Sequence, residues 1–174
     1  MPTALTHALA GWAVGELLAP QPMPVGYHLL TAALGVLPDV DAVGFWLGVP
    51  YGSRFGHRGL SHSLVCAAGA GLVAALPLAS RLDVSWWLLW GIFSVIVGLH
   101  GVLDALTDGG MGIAFFAPWD NRRYFFWWRP IRVSPIGLAV FSRWGLRALL
   151  SEVGWVWAPL GILVGAAVWL HGVR

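Results

Sequence analysis

The sequence predicts an all-α fold: an integral membrane helical bundle of four to five membrane-embedded helices with an irregular interfacial loop region. Hydrophobic residues make up 58% of the 174 residues, charged residues make up only 10%, and there are twelve tryptophans. A soluble domain usually carries about a quarter charged residues to cover its surface. Because tryptophan is also enriched at membrane–water interfaces, we expect a bilayer to be the solvent.

Three stretches are long and apolar enough to cross a bilayer, which takes about 20 residues in a helix. They are residues 59–80, 84–103 and 153–173. Two further segments are less regular. Residues 3–19 are short, and residues 25–49 are interrupted by Pro38-Asp39-Val40-Asp41, which we expect to form an extended break.

The remaining regions lie between or beside these helices. Residues 107–135 are rich in Gly, Pro, Trp and Arg, and we expect them at a membrane face because lipid cannot satisfy irregular backbone. Residues 141–152 are expected to form a short interfacial helix with Arg143 and Arg147 one turn apart. With no internal repeat or linker, residues 1–174 are interpreted as one membrane-embedded domain.

The basic residues give an orientation. All ten are arginines that flank apolar runs, so we expect no nucleic-acid partner, which would need a basic stripe on a wetted face. The predicted topology leaves only Arg81 and Arg174 on one side. The other side carries Arg54, Arg58, Arg122, Arg123, Arg129, Arg132, Arg143 and Arg147. The positive-inside rule makes that side cytoplasmic in a multi-pass membrane protein.

Paired histidines and aspartates provide candidate metal ligands, since such residues are costly within a membrane unless they have a function. His100 and Asp104 are four residues apart and therefore share one helix face, which Asp108 would extend if the helix continued. Asp39 and Asp41, two residues apart in an extended break, would point in the same direction. Their charges would repel each other unless a cation lay between them.

Two more histidines open the third stretch. His57 and His62 lie in His57-Arg58-Gly59-Leu60-Ser61-His62-Ser63, where Ser61 or Ser63 would cap the helix. On the predicted topology these residues reach one membrane level, at the cytoplasmic face. The expected metal ligands are His7, Asp39, Asp41, His57, His62, His100 and Asp104. This set exceeds the needs of one tetrahedral zinc and suits two divalent ions, either Zn²⁺ or Mn²⁺.

Several of these residues also have plainer interpretations. Asp39 and Asp41 could cap the helix that follows them, and Asp104 could form a buried ion pair with Arg58. Arg58 is either a lipid-headgroup anchor or an anion-binding group, and we favour the second because a guanidinium fork suits phosphate. Glu16 either contacts the ligand residues without binding the metal itself, or extends its carboxylate toward the membrane surface.

An aromatic and basic segment spans residues 119–129. The simpler interpretation is an interfacial belt that anchors the loop among lipid headgroups. The alternative is a wall along the path of a lipid substrate, with Arg122 or Arg123 meeting the headgroup phosphate.

An ordered set of short motifs falls within residues 1–125. They are Thr6-His7, Leu37-Pro38-Asp39-Val40-Asp41, the segment from His57 to Ser63, His100-Gly101-Val102-Leu103-Asp104, and Thr107-Asp108-Gly109-Gly110 followed by Pro118-Trp119. This set resembles the YdjM-type family of LexA-regulated, inner-membrane-associated metal-dependent hydrolases. The resemblance implies an integral membrane protein with a His/Asp metal centre. Ser61 departs from the family pattern, where threonine is usual, but keeps the hydroxyl.

These observations lead to one main functional hypothesis and two alternatives. The main hypothesis is a membrane-bound metal-dependent hydrolase that cleaves a phosphoester of a lipid-like substrate by metal-activated water. Arg58, Asp41 and Asp108 are the expected catalytic residues, with Arg58 steadying developing charge and a carboxylate acting as base. One alternative is an intramembrane metal-ion binding or transport protein without hydrolytic chemistry. The other is a scaffold whose polar residues only fix helix packing.

Overall fold

The computed structural model of the protein describes residues 1–135 and 137–171, the last without its side chain. Its helices are α1 (Ala4–Leu18), α2 (Val25–Val36), α3 (Leu64–Leu82), α4 (Trp86–Ala105), α5 (Arg143–Glu152) and α6 (Ala158–His171). The described residues contain no β-strand, which confirms the predicted all-α class. Arg174 and the end of the 153–173 stretch lie outside the described residues.

Within the described residues, four segments are long and apolar enough to cross a membrane: Val25–Phe45, Leu64–Leu82, Trp86–Ala105 and Arg143–Leu170. Helix α1 is shorter, and its 15 residues span about 22 Å at 1.5 Å per residue. It packs against α2, α4 and α6. A bundle of four spans plus one shorter helix therefore matches the predicted architecture.

The last span differs from the sequence prediction. Residues 141–152 do not form a separate interfacial helix, because α5 continues through a π turn at Val153–Trp157 into α6. The turn lies immediately before Pro159, which lacks the N–H that an α-helix needs at that position. A locally widened turn accommodates this loss, so one helical segment runs from Arg143 to Leu170.

The Pro38 break also differs from the prediction. The chain does not become extended after α2 but continues as a 3₁₀ helix over Leu37–Phe45, with Pro38 in its first turn, where proline is tolerated. In a 3₁₀ helix, side chains two residues apart point to different sides. Asp39 and Asp41 therefore do not share one direction, although both approach His62.

Helix α3 begins at Leu64, five residues later than the predicted stretch. Ser63 is its N-cap, and the Ser63 hydroxyl accepts the N–H of Cys66 at 3.2 Å, which confirms one of the two expected caps. Ser61 instead donates its hydroxyl to Asp41. The residues just before α3 therefore lie outside this helix, and their side chains can contribute to the candidate site.

Close helix packing determines where these groups meet. A Cβ on Gly11 would lie 2.4 Å from the carbonyl oxygen of Thr31, and one on Gly35 would lie 2.3 Å from that of His7. Only glycine allows α1 and α2 to approach so closely. This crossing brings the start of α1 beside the end of α2.

The segment 107–135 is irregular, as predicted, and folds over the end of the bundle where α3 begins and α4 ends. Ala114 N–H donates to the Arg58 carbonyl at 3.2 Å, and Phe126 N–H donates to the Ala105 carbonyl at 3.1 Å. Trp119 and Trp127 are 80% and 95% exposed. This exposure agrees with the predicted interfacial belt.

Candidate metal centre

Four candidate ligands meet at this end of the bundle. Asp39 comes from the 3₁₀ helix, His62 from the turn before α3, and His100 and Asp104 from the last turns of α4. One ligand atom from each lies within 4.8 Å of the others, and three of the four residues are buried. We call these four residues the primary group.

The orientation of His100 follows from a backbone contact. Its Nδ1 lies 2.8 Å from the carbonyl oxygen of Gly35, which can only accept, so Nδ1 carries the proton and Nε2 presents a lone pair. The 3₁₀ partner of the Gly35 carbonyl would be the N–H of residue 38, and Pro38 has none. The proline thus leaves a carbonyl free to orient the ligand.

His62 is held between two carboxylates. Its Nδ1 lies 3.1 Å from Asp41, while its Nε2 lies 3.7 Å from Asp39 and 3.1 Å from Nε2 of His100. Burial by itself lowers the pKa of His62, but the neighbouring carboxylates of Asp39 and Asp41 and the charge of Asp104 outweigh it and raise the pKa to about 9. In the absence of a metal, the ring is therefore a cation among carboxylates at neutral pH.

Asp104 is surrounded by donors and stacked rings. Its Oδ2 lies 3.0 Å from Nε of Arg58, and its Oδ1 lies 3.4 Å from Nε2 of His7. The His7 ring stacks on His100 with centroids 3.6 Å apart. The predicted ligand His7 therefore lies directly beside the primary group.

Asp41 and His57 lie on the other side of His62. Asp39, Asp41, His57 and His62 form a second group whose ligand atoms also lie within 4.8 Å of one another. Asp41 is already well supplied with donors, since it contacts His57 at 2.6 Å and His62, and accepts the N–H of Arg58 and the hydroxyl of Ser61. These existing contacts favour an orienting role for Asp41, in which its carboxylate contacts the ring nitrogen of a ligand histidine that does not bind the metal.

The structure does not bring Asp108 to the cluster. Helix α4 ends at Ala105, so the line from His100 through Asp104 stops before residue 108. Asp108 is exposed, and its side chain accepts the N–H of Val133 at 2.7 Å. The condition for Asp108 to extend the ligand row, a helix that continues past Ala105, is therefore not met.

Arg58 is buried, which excludes the role of a lipid-headgroup anchor. Besides its contact with Asp104, it donates to the Gly109 carbonyl at 2.9 Å and to the Thr107 hydroxyl at 3.2 Å. Its backbone has a φ of 65°, a left-handed conformation that is strained for an arginine. The buried ion pair with Asp104, one of the interpretations left open by the sequence, is the arrangement observed.

The other expected phosphate-binding arginines are also engaged. Arg123 donates to the carbonyls of Tyr51, Ser53 and His57 at 2.9, 3.1 and 3.0 Å, so it holds the loop that carries His57. Arg122 is exposed and pairs with Asp120 at 3.0 Å. Of these two, only Arg122 projects toward solvent or headgroups.

Glu16 lies away from the cluster. Its carboxylate is 3.6 Å from Nε2 of His28, at the end of α1 opposite to His7. Because two turns of α1 separate Glu16 from His7, Glu16 does not orient the candidate ligands.

Comparison with known proteins identifies the family. The family model described as YdjM inner membrane protein matches residues 1–173. The chain belongs to the YdjM family. It is also 34% identical over 170 residues to the inner membrane protein YbcI of Escherichia coli (strain K12), covering 97% of this chain and 98% of that protein. No solved structure matches.

The cluster of this YdjM-family chain fits a divalent cation. Among the described residues, both carboxylate oxygens of Asp39 and both ring nitrogens of His7 are buried without a hydrogen-bond partner, whereas Asp104 has its ion pair with Arg58. Unpaired buried oxygens are costly, and a cation would satisfy them. The Nε2 atoms of His62 and His100 are 3.1 Å apart, close to the roughly 3.3 Å between two nitrogens bound tetrahedrally to Zn²⁺. Two nitrogens and two oxygens suit Zn²⁺ or Mn²⁺.

Sequence reasoning missed two residues whose contacts lie next to this cluster. The Gly35 carbonyl orients His100, and the presence of Pro38 three residues later could have revealed it. Glu152 is buried against the start of α1. Glu152 could have been noticed in the sequence as a lone acidic residue directly before the apolar stretch 153–173.

Proposed function

We propose that this YdjM-family protein is a membrane-bound metal-dependent hydrolase that cleaves a phosphoester of a lipid-like substrate. The observation that carries the proposal is the primary group of Asp39, His62, His100 and Asp104, whose ligand atoms lie within 4.8 Å and whose Asp39 oxygens have no hydrogen-bond partner among the described residues. Divalent cations held by such ligands polarise phosphoryl oxygens and acidify water.

We propose that the primary group binds one ion tightly and the second group binds another more weakly. The Asp39 oxygens have no hydrogen-bond partner in the part of the chain that the structure describes, so they are available to an ion. Asp41 and His57 already contact each other at 2.6 Å, and an ion there must replace that contact. Asp39 and His62 belong to both groups.

The surrounding residues orient the ligands. Gly35 fixes the ring of His100, and Asp41 fixes that of His62. Arg58 holds Asp104 in place by a buried ion pair. Such outer contacts commonly change metal affinity about 10–100-fold when removed. Arg58 therefore contributes to the reaction through Asp104 and not through direct contact with phosphate.

A lipid-like substrate is supported by the surface at this end of the molecule. Trp119, Arg122 and Trp127 are all exposed within the same irregular segment. An aromatic ring and a cation suit the boundary between acyl chains and phosphate headgroups. We propose that this end faces the cytoplasm, because eight of the ten arginines of the sequence belong to it.

The decisive assay measures phosphate release from lipid phosphate esters in detergent or vesicles, with Zn²⁺ or Mn²⁺ supplied. We expect His62→Ala and Asp104→Ala to abolish metal-dependent release. His28→Ala and Asp83→Asn, at the opposite end of the bundle, serve as matched controls and should retain it. Activity that survives in His62→Ala and Asp104→Ala would contradict the proposal.

One observation favours the alternative of a metal-ion binding or transport protein. The side chains of His62, His100 and Asp104 have no exposed surface, and that of Asp39 has only 7%. Such burial suits a bound ion better than a bulky substrate. Ion flux in proteoliposomes without phosphate release would favour this alternative over hydrolysis.

A further inference from the structure

Glu152, the last residue of α5, lies fully buried against the start of α1. Its Oε1 accepts the backbone N–H of Thr3 at 2.8 Å. Its Oε2 accepts the hydroxyl groups of Thr3 and Thr6. A carboxyl group of the last span thus binds three donors in the first turn of the first helix.

The π turn explains why two side chains of the last span reach the same place. Residues five apart in a regular α-helix point about 140° away from each other, given 3.6 residues per turn. The π turn at Val153–Trp157 widens this turn, so that Glu152 and Trp157 lie on one face. Both contact the hydroxyl of Thr6.

The direction of these hydrogen bonds is fixed by their chemistry. The indole N–H of Trp157 can only donate, and it donates to Thr6 Oγ1 at 2.7 Å. The Thr6 hydroxyl is then left to donate to Glu152. Thr6 is therefore held from two sides by the last span.

Thr6 directly precedes His7, whose ring is not held in place by comparable hydrogen bonds. Neither ring nitrogen of His7 has a hydrogen-bond partner among residues 1–135 and 137–170. The ring is placed by its stacking on His100 and by the position of the α1 backbone. Whatever fixes the first turn of α1 therefore fixes His7 relative to Asp104, 3.4 Å away.

We propose that Glu152, acting through Thr3 and Thr6, is a positioning residue that holds His7 at the metal centre. This inference rests on the proposed metal centre for its effect on metal binding. The positional effect itself does not require a metal. The last span is thereby part of the site although it supplies no ligand.

The test uses the full-length, detergent-purified protein, stripped of metal and titrated with Co²⁺ as a spectroscopic probe. We expect Thr6→Val to weaken Co²⁺ binding by about tenfold, the lower end of the effect of outer contacts on metal affinity. The substitution should also alter the visible absorption spectrum of bound Co²⁺, because the arrangement of the ligands around the ion changes. Thr6→Ser, which restores the hydroxyl, should return affinity and spectrum to those of the wild type.

Two further variants keep the test informative if Thr6→Val folds poorly. Trp157→Phe removes only the N–H donor and should give a smaller change in the same direction. Glu16→Gln, at the far end of α1, is the matched control and should bind Co²⁺ as the wild type does. Wild-type affinity and spectrum in both Thr6→Val and Trp157→Phe would overturn the inference.

A second readout separates this inference from the metal proposal. Hydrogen–deuterium exchange in the first turn of α1 should be faster in Thr6→Val than in Thr6→Ser, with or without metal. If the wild type binds no Co²⁺, the metal proposal fails, and equal exchange in the two variants would overturn the positional inference as well.

Discussion

The Nε2 atoms of His62 and His100 lie 3.1 Å apart, with Asp39 3.3 Å from His100. Two imidazole lone pairs at this distance repel each other unless a proton or a metal ion lies between them. With its pKa raised to about 9, His62 supplies a proton when metal is absent. The same space fits a divalent cation, which would displace that proton.

Metal binding should therefore release protons. A metal ion needs neutral imidazole, whereas a group with a pKa of about 9 is mostly protonated at pH 7.5. We expect about one proton released from His62 per ion, and an apparent affinity that rises about tenfold per pH unit toward pH 9. Calorimetry in two buffers of different ionisation enthalpy measures this number. An enthalpy independent of the buffer would contradict the assignment of His62.

The two groups should respond differently to mutation. His57→Ala removes a ligand of the second group only, whereas His100→Ala removes a ligand of the primary group only. We expect His57→Ala to keep the tight ion and lose the weak one, and His100→Ala to lose the tight one. Equilibrium dialysis with metal analysis gives both stoichiometries. Equal losses in the two variants would show a single site.

The buried pair of Arg58 and Asp104 should be important for stability. Removing one partner leaves a buried charge uncompensated, which usually costs about 3–5 kcal/mol. We expect Arg58→Gln to lower the denaturation midpoint substantially in detergent. An unchanged midpoint would mean that the pair contributes nothing to the fold.

Two glycines allow a matched test of the Arg58 environment. Gly110 and Gly137 both have positive φ, at 90° and 69°, so alanine strains the backbone at each. A Cβ on Gly110 would lie 2.3 Å from an Arg58 guanidinium nitrogen, whereas one on Gly137 meets nothing within 4 Å. Gly110→Ala should therefore lower both stability and metal affinity, and Gly137→Ala should affect stability only. Thermal denaturation and metal titration of the two variants decide this.

The crossing of α1 and α2 should be equally intolerant. A Cβ on Gly35 would lie 2.3 Å from the backbone of His7, but one on Gly69 in α3 meets nothing. We expect Gly35→Ala to weaken metal binding and lower the melting temperature. Gly69→Ala should be neutral or slightly stabilising, because alanine favours a helix by up to about 1 kcal/mol. A wild-type melting temperature in Gly35→Ala would contradict the close packing.

Much of the fold was predictable because membrane spans follow from local composition. The apolar stretches, the irregular 107–135 region and the cap at Ser63 all depend on neighbouring residues. The continuation of α5 into α6 was not predictable in this way. It depends on how a π turn before Pro159 is stabilised by contacts with α1.

The sequence predicted most of the residues that meet at the candidate site, but it did not predict which of them form the primary group. Spacing and depth brought His62, His100 and Asp104 together, since they lie at the ends of predicted helices. Whether Asp39 or Asp41 joins the primary group depends on the 3₁₀ geometry after Pro38, which spacing alone does not reveal. Asp108 was misplaced because α4 ends at Ala105.

Elemental analysis of the detergent-purified protein shows whether the primary group binds a divalent cation. We expect at least one zinc or manganese ion per chain, retained through desalting and lost in His62→Ala and Asp104→Ala. Those variants must be shown to be folded by circular dichroism. A folded wild-type protein that binds no divalent metal, even after incubation with Zn²⁺ and Mn²⁺, would rule out a metal site at the primary group.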